Sequence, residues 1–329
     1  MRRCLALAIL LAAIPALAQE KKDPPKEKPK APPRIALREP TDVAKDADFA
    51  IQGEYENDKK QGAQVVARGQ GNFYIRVLEG GLPGAGWDGK SKTELRAKTE
   101  DGKVVLEGGG SIADGVLVLK DGTKLKRVER KSPTLGAKPA DGSVVLFGKS
   151  EDLSNWNDAE IAKLSDGEFL SCKPGKNILT KKAFKSCKIH IEFRLAWMPN
   201  SSGQGRSNSG LYLQNLYECQ MLDSFGLSGE NNECGGFYTQ HKPSVNMCLP
   251  PMVWQTYDIE ITAAEFDGDK RTKKARVTMF HNGVKIHDNI ELPGPTPGGQ
   301  KDESKAGPLH LQWHGDPLVY RNIWVVETK

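Results

Sequence analysis

Residues 208–223 read N-S-G-L-Y-L-Q-N-L-Y-E-C-Q-M-L-D, and here side chains able to move protons and hold a polar ligand lie closest together. Tyr212 and Gln214 alternate with Leu211 and Leu213, and Glu218 and Gln220 alternate with Cys219 and Met221. This is the pattern of two adjacent strands, whose successive side chains point to opposite faces. The turn between them decides which groups meet. A two-residue turn at Asn215-Leu216 would set Leu213 opposite Glu218, whereas a three-residue turn would bring Tyr212, Gln214, Glu218 and Gln220 onto one face. Such a face is costly to bury unpartnered and suits a polar ligand. A carboxylate partly withdrawn from water there would have its pKa raised toward values useful for taking a proton.

Other groups could join it. Asp223 follows the second strand, and His314 shares a face with His310 and Gln312 near the end of the chain. Asp223 and His314 would add further titratable groups to that face. Each has a plainer reading: Glu218 paired with Arg194 across the sheet, Asp223 capping a turn beside Ser224, His314 hydrogen-bonded to a loop. His190 and Glu192, an isolated His-x-Glu on a strand, read as a solvated face more readily than as metal ligands. Asp267-Gly268-Asp269 lacks the bidentate Glu of a calcium loop and reads as a turn. Residues 80–88, Gly-rich and ending in Trp87-Asp88, lack the Lys-Ser/Thr and following helix of a phosphate loop and read as a packed turn. Trp254 and Trp313 read as core, or as platforms under a sugar if a groove opens on them.

The elements that must position these groups are strands. From residue 143 onward apolar and polar positions alternate: Ile189, Ile191 and Phe193 against His190, Glu192 and Arg194; Tyr257, Ile259 and Ile261 against Thr256, Asp258 and Glu260; Leu309 and Leu311 against His310 and Gln312. Asn282-Gly283 between two such runs is a strong hairpin signal. About a dozen strands of this kind imply a two-sheet sandwich over residues 143–329. Residues 34–130 contain short β-rich runs at 64–68, 72–78, 103–107, 115–120 and 123–128. Turns at Asp101-Gly102 and Asp121-Gly122 separate some of them, as in a small antiparallel meander or barrel. Residues 131–142, with Pro133, Gly136 and Pro139, read as a linker between the two units.

Residues 1–18 have the form of a signal peptide: Arg2 and Arg3, an apolar run, and Ala16-Leu17-Ala18 as cleavage site. Cleavage after Ala18 would deliver a secreted or periplasmic protein. The Lys/Pro-rich residues 19–33 read as an extended tether. No other apolar run is long enough for a membrane span. The formal charge of +5 falls to +3 without Arg2 and Arg3, too little for a dedicated nucleic-acid surface. Beyond Cys4 there are five cysteines, and no C-x-x-C favours zinc. Export permits disulfides, and short loops favour Cys172–Cys187 and Cys234–Cys248, leaving Cys219 as a thiol.

Six motifs fall in a telling order: Asn208-Ser209-Gly210; residues 217–223; Gly236-Phe237-Tyr238; Trp254-Gln255-Thr256-Tyr257-Asp258; His281-Asn282-Gly283; and residues 311–315 followed by Tyr320-Arg321-Asn322-Ile323. In this order the chain from about residue 143 to 327 resembles the 3-keto-disaccharide hydrolase family, also described as 3-keto-glucoside lyase and 3-keto-2-hydroxy-glucal hydratase domains. The resemblance implies a concanavalin-like jelly roll with a sugar on its concave face. It implies removal of an acidified C2 hydrogen, loss of the group at C1, and addition of water. Glu218 would be the base, Asp223 or His314 the acid, and Arg194, Arg321 or a bound divalent cation the holder of the enolate. Tyr212, Gln214, Gln220, Gln312 and Tyr238, with the two arginines, would bind an oligosaccharide or glycoside substrate. The laminarinase-type pattern Glu-x-Asp-x-x-Glu appears here as Glu218-Cys219-Gln220-Met221-Leu222-Asp223, with the middle carboxylate replaced by an amide. That puts in doubt a double displacement, which needs two carboxylates about 5 Å apart. The alternatives to a 3-keto-glycoside enzyme are a lectin-like module and an endo-glucanase.

Overall fold

Alternation in sequence becomes two packed sheets. In the strand Cys187–Arg194, Cys187, Ile189, Ile191 and Phe193 enter the core, so Lys188, His190, Glu192 and Arg194 face outward. The antiparallel neighbour Trp254–Thr262 sets Ile259 opposite Ile189 and buries Tyr257, Ile259 and Ile261 with it. These strands belong to an eight-stranded sheet running Ala159–Leu164, Gly167–Cys172, Val319–Glu327, Cys187–Arg194, Trp254–Thr262, Arg276–His281 and Val284–Glu291, with Val144–Phe147 added against Val319–Glu327. The facing sheet has five strands in the order Trp156–Asn157, Ile178–Phe184, Gly307–Leu311, Ser209–Leu213 and Tyr217–Met221. Phe193, Tyr257, Leu211, Met221 and Leu311 belong to the shared core, each contributing roughly 1.5–3 kcal/mol by leaving water. The computed structural model describes residues 34–328; the leader and tether expected for residues 1–33 lie outside the described residues.

The sandwich is the all-β jelly roll that the alternation and the resemblance anticipate. The hairpin at Asn282-Gly283 has both residues left-handed, at φ 50° and 77°, the twist a two-residue turn between antiparallel strands requires. Ahead of the sandwich, eight strands from Gly53–Glu56 to Lys124–Val128 close into a barrel, the first and last pairing through Tyr55 and Arg127. Tyr55, Val65, Phe73, Ile75, Leu117 and Leu125 lie in its core. The strand Lys92–Glu100, which no hydrophobic pattern announces, is held between Asn72–Glu79 and Lys103–Leu106 and buries only Ala97. Trp197 of the sandwich enters the barrel core and donates its indole N–H to Asp46 at 2.8 Å.

Two expectations are overturned here. His190 and Glu192 are not solvated, because residues 132–137 lie across them. Gly136 N donates to Glu192 Oε1 at 2.6 Å, Thr134 Oγ1 to Asp258 at 2.7 Å, and Asn322 Nδ2 to the Ala137 carbonyl at 2.9 Å. His190 in turn bonds Asp258 at 2.6 Å. Burial pushes Glu192 upward, but hydrogen bonds from His190, Asn322, Gly136 and Arg321 outweigh it and hold it at about 2. The disulfides are also absent: all five described cysteines are buried thiols. The strands of Cys172 and Cys187 are separated by Val319–Glu327, roughly 9–10 Å at two strand spacings, too far for a disulfide. Cys234 and Cys248 are neighbours, but Cys234 engages the Tyr257 hydroxyl at 3.1 Å and Cys248 the Leu249 carbonyl at 3.4 Å.

Candidate active site

The turn after Ser209–Leu213 has three residues. Leu213 faces Tyr217, Tyr212 faces Glu218, and Gly210 faces Gln220. Gln214 and Asn215 make this turn with left-handed φ of 52° and 56°. Leu211, Cys219 and Met221 therefore point into the core, and Tyr212, Glu218 and Gln220 share the opposite face. The next strand extends that face. His310 lies opposite Tyr212 and stacks on it, ring centroids 4.4 Å apart, and Gln312 N bonds the Gly210 carbonyl at 3.0 Å.

Glu218 sits at the centre, 4% exposed. Its carboxylate lies over Gly210: a Cβ there would come within 2.3 Å of Oε1. Burial lifts its pKa from 4.5 to about 7, and the adjacent Tyr212 hydroxyl partly offsets the rise. Burial, with the Glu218 charge beside it, pushes the Tyr212 phenol far above its normal range, so it remains a proton donor. With its amide nitrogen turned inward, Gln220 donates to Glu218 Oε1 at 3.2 Å and to the Ser209 carbonyl at 2.9 Å. The Glu218 backbone is fixed too: its N–H donates to Thr296 Oγ1 at 2.8 Å and its carbonyl accepts from Tyr238 N at 3.0 Å. Gln312 Nε2 donates to the Tyr212 hydroxyl at 3.2 Å. His310 is held neutral, its pKa lowered by burial to about 4, and its Nδ1 bonds Asn215 at 2.8 Å.

Several buried polar atoms here have no hydrogen-bond partner among the described residues: His310 Nε2, Gln312 Oε1, Asn208 Oδ1, and both amide atoms of Gln214. Buried polar groups are normally paired, and the described residues leave these unsatisfied.

Four of the candidates go elsewhere. Asp223 is buried against Arg206, Oδ2 to Nε at 2.5 Å, and its other oxygen accepts from Phe225 N at 3.3 Å. Its contact with Phe225 N is that of a turn cap, with a buried ion pair added. His314 lies beyond the end of Gly307–Leu311, exposed in the following loop; His310, two periods of alternation earlier, occupies the face. Arg194 and Arg321 stand on the outer side of the other sheet. Arg194 pairs with Asp166, and Arg321 pairs with Glu192 at 2.7 Å while stacking on Trp254 at 4.1 Å. Neither Arg194 nor Trp254 therefore serves Glu218 or a sugar beside it. Arg206, Gln204 and Thr296 touch Asp223, Gln220 and Glu218 and come from loops, so alternation gives no means of finding them. Among the described residues no three His, Cys, Asp or Glu side chains are grouped to hold a metal ion.

The crystal structure of a "putative glycosyl hydrolase" from Parabacteroides distasonis ATCC 8503 is 34% identical to this chain, with a TM-score of 0.50 over 57% of this chain and 84% of that one. A second from the same organism, under the same description, is 20% identical with a TM-score of 0.40, over 56% and 99%. No curated protein matches. The jelly roll and its polar face are those of a carbohydrate-active protein of glycosyl-hydrolase type. Residues 142–326 match the 3-keto-alpha-glucoside-1,2-lyase-like domain, and the chain belongs to that family.

Proposed function

We propose that the chain cleaves 3-keto-glycosides, with Glu218 as the base that takes the hydrogen from C2. A ketone at C3 makes that hydrogen acidic. The electron pair left at C2 enters an enolate, the C1–O bond breaks, and the departing oxygen receives the proton that Glu218 has removed, which restores the base. Water then adds to the 2-hydroxy-3-keto-glucal. Tyr212, protonated and beside Glu218, is the donor to the developing enolate oxygen, and Gln312 and His310 orient the sugar. Tyr238 and Gln220 border the same space.

The observation that carries this reading is the solitude of Glu218: a buried carboxylate lifted to about 7, suited to general-base work near neutral pH. A glycosidase needs a second carboxylate. This strand offers Gln220 in one position and an Asp223 already bound to Arg206 in the other. The test is turnover of a 3-keto-glucoside by Glu218→Gln, expected to fall ~10²- to 10⁴-fold with binding retained. The unoxidised glycoside should not react with the wild type, because its C2 hydrogen is not acidic. Cleavage of the plain glycoside would favour a glucanase, and binding without turnover of either would favour a lectin-like module.

A further inference from the structure

We infer that the barrel carries a second saccharide site, for neutral oligosaccharide, in the cleft it forms with the sandwich; the inference rests on the reading that the chain handles glycosides. The cleft has a volume of about 880 Å³, within the range of ligand sites. Its barrel wall comes from Asn72–Glu79 and Lys92–Glu100, and its sandwich wall from the loop containing Ser228, Glu230 and Glu233. This explains why Lys92–Glu100 is a strand with so little apolar surface: one side of it lines a polar groove.

Five basic and five acidic side chains line the cleft, with Tyr74 among them. Balanced charge offers no net attraction to an anion. It offers hydrogen-bond donors and acceptors side by side, which sugar hydroxyls, able to act as both, can engage. Tyr74, half-buried, supplies an aromatic surface of the amphipathic kind that accepts a partly apolar ring. Arg76 is the group that asks for an occupant. Its side chain is 4% exposed; Nη2 donates to Ser228 at 3.2 Å, but Nε and Nη1 are buried with no hydrogen-bond partner among the described residues. Glu94 stands 3.6 Å from Nε, an ion-pair distance beyond hydrogen bonding. Open donors on a buried guanidinium are costly, and ligand hydroxyls would fill them.

One loop separates this cleft from the Glu218 face. Glu230 and Glu233 line the cleft. Between them the Asn232 carbonyl accepts from Gln204 Nε2 at 2.7 Å, and Gln204 touches Gln220 at 2.9 Å. The end of the same loop pairs with Gln220 through Gly235 N and the Gly236 carbonyl, at 3.0 and 2.9 Å. An oligosaccharide held by the barrel therefore lies just across this wall from the reacting face.

The test is calorimetric titration of the full chain with neutral tetra- to hexasaccharides of the malto, cello and laminari series, none bearing a ketone and so none consumed at Glu218. Binding to at least one series is expected, weakened about tenfold or more by Tyr74→Ala or Arg96→Ala. Arg96 is exposed on the cleft wall, so its variant remains informative if Tyr74→Ala disturbs folding. The inference is overturned if the wild type binds none of the three series, if both cleft variants bind as wild type does, or if a sulfated oligosaccharide binds more tightly than the neutral ones. Turnover of a 3-keto-glucoside is read separately, so the cleft can fail while the assignment of Glu218 stands.

Discussion

Glu218→Gln should make the folded protein more stable, and should do so only as the pH rises. In the unfolded chain this carboxyl titrates near 4.5, and in the fold near 7, because burial disfavours its charge. Below about pH 4.5 the group is neutral in both states and the substitution changes little. As the pH rises the unfolded chain releases its proton first, so stability contributed by the protonated native group is lost progressively up to about 7. The difference between 4.5 and about 7 corresponds to roughly 3 kcal/mol at pH 8 and to under about 1 kcal/mol at pH 5. The amide never ionises, so the variant escapes this loss. Urea unfolding of wild type and variant at pH 5 and pH 8, followed by tryptophan fluorescence, measures it. A stability difference that is the same at both pH values would refute the reasoning. It would mean that Glu218 titrates as an ordinary surface carboxylate, and the argument for a near-neutral base would go with it.

The activity should follow the same group: kcat/KM for a 3-keto-glucoside should rise with pH around 7 as Glu218 ionises, and a flat profile from pH 5 to 8 would contradict it. Gly210→Ala places a Cβ 2.3 Å from Glu218 Oε1, so the carboxylate must move; turnover should drop roughly 10²-fold in a protein that still folds, and wild-type turnover would show that its position is not critical. Asp223→Ala leaves the Arg206 guanidinium buried and unpaired, costing about 3–5 kcal/mol by denaturant unfolding; lost turnover at unchanged stability would instead restore Asp223 as an acid. In urea without reductant, thiol titration of the chain carrying Cys172, Cys187, Cys219, Cys234 and Cys248 should count all of them as free, and a count of one would restore both disulfides.

Strand identity was legible in the sequence because alternation is a local property. Ile189, Ile191 and Phe193, or Leu309 and Leu311, state which side of their strand is apolar wherever that strand lies. The jelly roll and the shared face of Tyr212, Glu218 and Gln220 follow from this once the turn has three residues. The motif order carried the family. Period two says nothing about which sheet a polar face belongs to, and there tertiary structure decided. Arg194 and Arg321 alternate as correctly as Glu218 does, yet their strands lie in the other sheet and face away. His310 and His314 have the same parity, and only the end of pairing at Leu311 separates them. Lys92–Glu100 was invisible because its hydrogen bonds come from neighbours rather than from its own apolar pattern. Asp223 was drawn off by Arg206, a loop residue that no spacing rule links to it. Even the raised pKa of Glu218 comes from what packs around it, since desolvation depends on the loops and strands that cover a carboxylate and not on its neighbours in the chain.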